Sequence, residues 1–366
     1  MKGSRTRLFW RTMPLVGLAA ALAVAPLGKS AGSAPVLALL VPLVGLVVLM
    51  SVVFAAVYHA DVIAHRTGEP YGTLVLTVAV TVIEVALILS IMLAGEGRPS
   101  LARETVFSVI MVVCNGVVGL CVVLGGLRYG EQGFRLPGTS AYLVVLMPLA
   151  TLTLVLPTYT ISAPGPYYSS SQLVFASIAT LALYAVFLYV QTVRHRDYFL
   201  SDLGGAFEDH PTAPTTRQLW ESIALLLIGL TAVVLLAKGV SGSLEGMVAA
   251  MGAPLDSVGL VVAVLVLLPE TVAALRAAIR NELQKSLNLA LGSSLATIGL
   301  TIPAVSLLAI VLNQPLQLGL GMRDTVLLIL TFAVSLVTFG GGRTNILPGF
   351  VHLVLFAIFV FLIFVP

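Results

Sequence analysis

Charge is what this chain lacks. Lysine, arginine, aspartate and glutamate together make up 10% of its 366 residues, hydrophobic residues make up 58%, and the mean hydropathy is +1.06. A soluble domain needs far more charge to coat its surface, so the composition excludes one and describes an integral membrane protein. Cysteine is nearly absent too. Cys114 and Cys121 are the only two, seven apart in one apolar run, which puts both on one helix face yet too far apart to bond; they read as small packing residues. Also missing are a His-Glu-x-x-His motif, a Gly-x-Ser-x-Gly elbow and an aspartate-rich pair on the apolar segments, which argues against an intramembrane enzyme. The net charge of +3 and pI near 8.9 come from basic residues in short loops, where they set membrane orientation, so no nucleic-acid partner is expected.

What is present is a series of apolar runs. A span needs about 20 mostly apolar residues, and cutting at charged or Gly/Pro-rich joints gives eleven, at 12–28, 35–58, 70–95, 104–127, 139–162, 170–193, 218–240, 256–280, 286–313, 322–341 and 345–364. The expected fold is an all-α integral membrane protein. With a cytoplasmic N-terminus, only Lys29, Arg98, Arg103, Lys238 and Arg323 of the nineteen basic residues fall outside, the asymmetry of a correct topology. The odd span count then puts the C-terminus outside. The basic start and the apolar run Pro14 to Leu27 resemble a signal peptide, but the next span follows at once, and a retained first helix is the expectation.

Two of the runs carry a lone acid near the middle: Gly72 through Glu84, and Gly259 through Glu270. A carboxylate at membrane depth is costly, and its default reading is an ion or proton pathway. Glu84 lies in the third span and Glu270 in the eighth. That offset of five implies one leading helix and two five-helix repeats, and an odd repeat length inverts one repeat against the other around a midplane site. The expected organisation is therefore residues 1–34 as N-terminus and first helix, 35–193 as first repeat, 194–217 as a cytoplasmic linker and 218–366 as second repeat.

Other polar residues gather near each acid. Thr73, Thr77, Thr81 and Glu84 share one helix face, with Thr81 the best placed to act with the carboxylate. Pro269 removes the amide that would bond the carbonyl of Leu265, so the eighth span is expected to break or kink at Glu270 and free oxygen ligands for a hard cation. Glu104, Ser108, Asn115 and Gly119 line one face of the fourth span. Gln284, Asn288 and Gly292 form one stripe on the ninth, and Ser293, Thr297 and Thr301 a neighbouring one. Asn115 and Ser293 are the expected site residues among these; the small residues also allow close packing. Asp61, with His59, His65 and Arg66 at the end of the second span, reads either as a solvated helix end or as a proton relay.

Three stretches together resemble the calcium/proton (cation/proton) exchanger family, with its bacterial ChaA-type members the nearest pattern. They are Asp61 through Gly68-Glu-Pro-Tyr-Gly72 to Glu84, Glu270 through Asn281 to Gly292 and Ser293, and Gly342-Arg-Thr-Asn345-Ile-Leu-Pro-Gly349, which is similar to the family's Gly-Lys-Ser-Asn-Trp-Leu-Glu-Gly. The resemblance implies a bacterial inner-membrane antiporter in which Glu84 and Glu270 bind both the metal cation and the exchanged protons, and Pro269, Gly292, Asn288, Thr77, Asp61 and Asn345 are the expected supporting residues. It implies no cofactor beyond the transported Ca2+, Na+ or K+ and H+, and no partner beyond lipid, these cations and protons. The chain departs from the family where Val80-Thr81 and Val266-Leu267 replace Gly-Asn, Ile110-Met111 replace Gly-Ser, and Ala296 replaces an amide. Calcium takes six to eight oxygens, so the loss of amides admits Na+ or K+ as the cargo. Repulsion and poor solvation favour protonation of both acids until a cation displaces the protons, with about two protons leaving per Ca2+. A passive channel is the further alternative, disfavoured because a tightly binding midplane pair slows permeation.

Overall fold

The computed structural model describes residues 2–27, 35–67, 71–94, 99–200, 214–250, 252–254 and 257–365. The side chains of Thr73 and Thr77, the Gly68-Glu-Pro stretch and the linker from 201 to 213 lie outside that description. Eleven helices follow one another: α1 (Lys2–Leu27), α2 (Pro35–Thr67), α3 (Tyr71–Ala94), α4 (Leu101–Tyr129), α5 (Leu136–Tyr159), α6 (Ser170–Arg194), α7 (Thr216–Ala250), α8 (Ser257–Ile279), α9 (Leu283–Val311), α10 (Met322–Phe339) and α11 (Ile346–Phe364). Two short strands, β1 (Glu131–Gly133) and β2 (Arg343–Asn345), pair antiparallel. Among the described residues, nine helical stretches are long and apolar enough to cross a membrane, and α1 and α3 contribute shorter apolar ones. This is the expected all-α membrane fold.

α1, α2 and α7 run beyond their expected limits, α1 by starting at Lys2. α2 continues to Thr67, so His59 and Asp61 lie within it, and its last turn carries His65 and Arg66, the latter a cation that suits a helix C-terminus. α7 runs on through Gly239, Gly242 and Gly246 to Ala250, because a helix satisfies its own backbone even where propensity is poor. α8 passes through Pro269 as one continuous helix, so of the break or kink expected beside Glu270 the break does not occur, and the proline still leaves the carbonyl of Leu265 without its usual amide.

The chain divides into two compact units, each drawing on both halves of the sequence. The first contains α1, α2, α3 and α7. Ala55, Ala56, Ala60, Ala232 and Val233 are fully buried in it, small side chains that let helices approach closely. His59 ties three of its helices together. Its Nε2 lies 3.0 Å from the carbonyl of Trp10 and its Nδ1 3.2 Å from the hydroxyl of Ser222. Trp10 is four residues before Pro14, so its carbonyl has no amide to accept. A carbonyl only accepts, so Nε2 carries the proton and Nδ1 accepts from Ser222. Nearby, Trp10 stacks on Tyr58 and Arg11 pairs with Glu221.

The second unit contains α4, α5, α6, α9, α10, α11 and all of α8 from Gly259 onward. α4 is enclosed along nearly its whole length, packed on α11 and α9. The connections of this unit gather at two ends. At one, β1 pairs with β2; Gln132 donates to the carbonyl of Ala278 and to Asn281 Oδ1; Tyr129 donates to the carbonyl of Ile279; and the amide of Arg135 donates to Gln284. Asn281 closes α8 with a φ of 64°, a left-handed turn that asparagine tolerates. At the other end, the amide of Gln317 bonds the carbonyl of Pro99, that of Gly319 bonds Pro166, and the hydroxyl of Thr158 bonds Leu320. Loops that alternate along the chain thus meet in two separate sets, as successive membrane crossings require.

Four helices contain a π-helical turn: Val112–Val117 in α4, Thr151–Val155 in α5, Val190–Arg194 in α6 and Thr297–Thr301 in α9. The turn in α5 ends beside a proline. Its next i to i+5 bond would join Leu152 to residue 157, which is proline, and the hydroxyl of Tyr168 takes the carbonyl instead at 2.6 Å.

Candidate functional site

Glu84 lies in the first unit on α3, 1% exposed, with Thr81 buried one turn before it and Ile83, Leu87 and Ile88 buried around it. Glu270 lies in the second unit on α8. The residue as a whole is partly exposed, yet its Oε2 is buried and has no hydrogen-bond partner among the described residues. A charged oxygen without a partner in such surroundings costs several kcal/mol. It therefore calls for a proton or a cation. The described residues contain no group of three or more His, Cys, Asp or Glu side chains that could hold a metal ion; a cation here would meet single carboxylates, hydroxyls and backbone carbonyls.

Asn115 occupies the π-helical turn of α4 and is fully buried. Its carboxamide is committed within the second unit: Nδ2 donates to Thr331 Oγ1 at 2.8 Å and approaches the sulfur of Met111, while Oδ1 accepts from His352 Nδ1 at 3.0 Å. His352 Nε2 in turn accepts from Thr338 at 3.0 Å. Sequence reasoning passed over His352. Its signal was available, since it is the one ionisable residue in the apolar run of α11, and such residues are functional candidates by default.

On α9 the buried polar face is Ser286, Ser294, Thr297 and Thr301, all at most 3% exposed, whereas Ser293 is only partly buried. Gly292 lies under the ring of Tyr142, and Asn288 accepts from Gln284 and donates to the carbonyl of Phe199, anchoring the chain that leaves α6. Pro269 stands beside Glu270 in the continuous α8. Asp61 is exposed and lies 3.8 Å from His65. Asn345 pairs with Glu131 in the β-ribbon and caps α11 by accepting from the amide of Leu347. Glu104, in the first turn of α4, is buried with Arg103 at 3.6 Å, and Gly259 closes on its backbone. Cys114 and Cys121 are both buried and free. Thus Glu84 and Thr81 are together and buried on α3, whereas Asn288 and Asn345 hold connections at one end of the second unit.

These features define a multi-pass helical membrane protein with a lone acid on each of two largely apolar helices. More specifically, residues 37–193 and 221–365 match the sodium/calcium exchanger protein family, and the chain belongs to it. It is 47% identical over 319 residues to the ionic transporter y4hA of Sinorhizobium fredii, covering 87% of each chain. It is 38% identical over 348 residues to the sodium-potassium/proton antiporter ChaA of Escherichia coli, covering 94% of each. Its fold is similar to that of native YfkE, with a TM-score of 0.73 at 16% identity over 96% of this chain and 100% of that one. A similar match to the H+/Ca2+ exchanger CAX has a TM-score of 0.69 at 13% identity, over 96% of this chain and 88% of that one.

Proposed function

We propose that this protein is a secondary transporter of the bacterial inner membrane that exchanges cytoplasmic Ca2+, and also Na+ or K+, for protons, with Glu84 and Glu270 as the exchangeable carboxylates. The observation that carries the reading is a lone acid within each of two largely apolar helices, in a chain of the exchanger family. A carboxylate so placed is stable when protonated or when paired with a cation, and its bare charge is too costly to carry across. Thr81 is the hydroxyl that serves Glu84, and Ser293 and the carbonyl freed by Pro269 are the oxygens offered on the side of Glu270. Asn115 contributes at the π-helical turn of α4. The N-terminus and the linker are cytoplasmic and the C-terminus is outside, as the distribution of basic residues favours.

A second reading is a transporter devoted to Na+ or K+. It is supported by the amide positions replaced by Thr81, Leu267 and Ala296, which leave fewer oxygens than Ca2+ takes, and by the likeness to ChaA. Dye-reported proton movement in everted vesicles, on adding Ca2+, Na+ or K+ in turn, separates the two. Exchange is expected to release protons on cation addition and to fail in Glu84→Gln. Cation movement without protons would instead make the protein a channel.

A further inference from the structure

α11 approaches α4 more closely than ordinary side chains permit. A Cβ on Gly119 would meet the carbonyl oxygen of Gly349 and the Cβ of His352 at 3.0 Å, and a Cβ on Gly349 would meet the amide of Val123 at 2.9 Å. Small residues on both partners make this contact, as is usual where helices meet in lipid. Into this apolar seam the chain inserts one polar chain of hydrogen bonds, and its direction is fixed by chemistry. The oxygen of a carboxamide only accepts, so His352 donates from Nδ1 to Asn115; its Nε2 must then accept from Thr338. Asn115 passes a proton donor on to Thr331, whose hydroxyl points to the sulfur of Met111 at 3.5 Å. Every polar atom of the Asn115 side chain and of the His352 ring has a partner.

The Asn115 end of this chain falls inside the π-helical turn Val112–Val117. Such a turn holds one residue more than an α-turn, so it rotates one half of the helix against the other, and it needs outside support to stay where it is. In α4 the polar residues Glu104 and Ser108 stand on the N-terminal side of that turn. The π-helical turn of α9, Thr297–Thr301, stands at a similar depth in the helix that follows Glu270, but its Thr301 hydroxyl has no partner among the described residues.

We propose that His352 is a positioning residue for cation/proton exchange: by holding Asn115 Oδ1 it fixes the π-helical turn of α4, and with it the orientation of the polar face that the transported cation meets. This rests on the exchange reading above. Loss of the imidazole orphans Asn115 Oδ1 and the Thr338 hydroxyl together, so the turn can shift along α4 and the polar face rotates.

The test is cation-dependent proton release in everted vesicles from cells carrying wild type, His352→Leu, His352→Gln and Thr338→Val, at matched protein levels. His352→Leu is expected to raise the half-saturating cation concentration about fivefold, and to change the ratio between Ca2+, Na+ and K+. His352→Gln, which still has an amide N–H to offer Asn115, restores much of it. If His352→Leu does not reach the membrane, Thr338→Val removes only the bond to Nε2 and is expected to give a smaller rise in the same direction. Half-saturation and ion ratio unchanged in whichever of these variants is produced would overturn the proposal while leaving the exchange reading intact. Wild-type vesicles without cation-driven proton release would overturn both.

Discussion

His59 and Pro14 form a matched pair, although they do not bond to each other: the proline deprives the Trp10 carbonyl of its helical amide, and the imidazole supplies the missing donor at 3.0 Å. The pairing predicts non-additive mutants. His59→Leu leaves a buried carbonyl and the Ser222 hydroxyl unsatisfied and is expected to cost about 1–3 kcal/mol. In the background of Pro14→Ala, which returns an amide to the carbonyl, the same substitution costs less. Thermal unfolding in detergent of the four proteins of the cycle measures the difference, and equal costs in both backgrounds would contradict the pairing.

The seam between α4 and α11 has no room for a side chain at Gly119, where a Cβ meets backbone and the His352 side chain at 3.0 Å. Gly119→Val is therefore expected to destabilise the protein by about 1–3 kcal/mol through overpacking. Gly133→Ala, where no atom lies within 4 Å of the added Cβ, provides the comparison and is expected to change stability far less.

Gln132 reaches from β1 to the end of α8, where it satisfies the Ala278 carbonyl and the Asn281 side chain. Gln132→Leu fills a similar volume but gives up both bonds at a buried site. Faster amide hydrogen exchange is expected around residues 279–282, with α4 unaffected in its middle, because opening is local where the tie is cut. Unchanged exchange there would show that the ribbon does not hold the helix end.

Tyr168 lies between α5 and α6, outside the membrane-crossing helices, and burial pushes its hydroxyl up to about 12. A phenol with a raised folded value stabilises the protein fully below its ordinary value of 10 and loses that contribution as pH rises toward about 12. Stability of the wild type is thus expected to fall faster over this window than that of Tyr168→Phe. Parallel pH profiles of the two melting temperatures would count against it.

The sequence disclosed what depends on composition along the chain. Eleven spans could be counted because apolar runs of this length have no other use, and Glu84 and Glu270 stood out because a lone acid in such a run is expensive. The relation of residues distant in sequence was less legible. Asn115 was visible as a polar residue in an apolar helix, but its partners Thr331 and His352 come from α10 and α11, more than two hundred residues later. Asn288 was visible in a polar stripe, but its bond to the Phe199 carbonyl, from a segment nearly ninety residues earlier, was not. Pro269 was expected to break or kink its helix, and α8 continues through it without a break. Nor does any periodicity announce a π-helical turn, since the extra residue is accommodated by packing; Pro157 in α5 and Pro303 in α9 each stand two residues past such a turn, but a proline in a helix does not by itself mark one.

The central claim is that Glu84 and Glu270 exchange protons for cations, and proton release on cation binding tests it most directly. Purified protein in weakly buffered detergent solution, titrated with Ca2+, Na+ or K+, is expected to release protons at saturating cation. Glu84→Gln and Glu270→Gln should each release fewer than wild type, and the double variant none. Release from the double variant equal to that of the wild type would contradict the account.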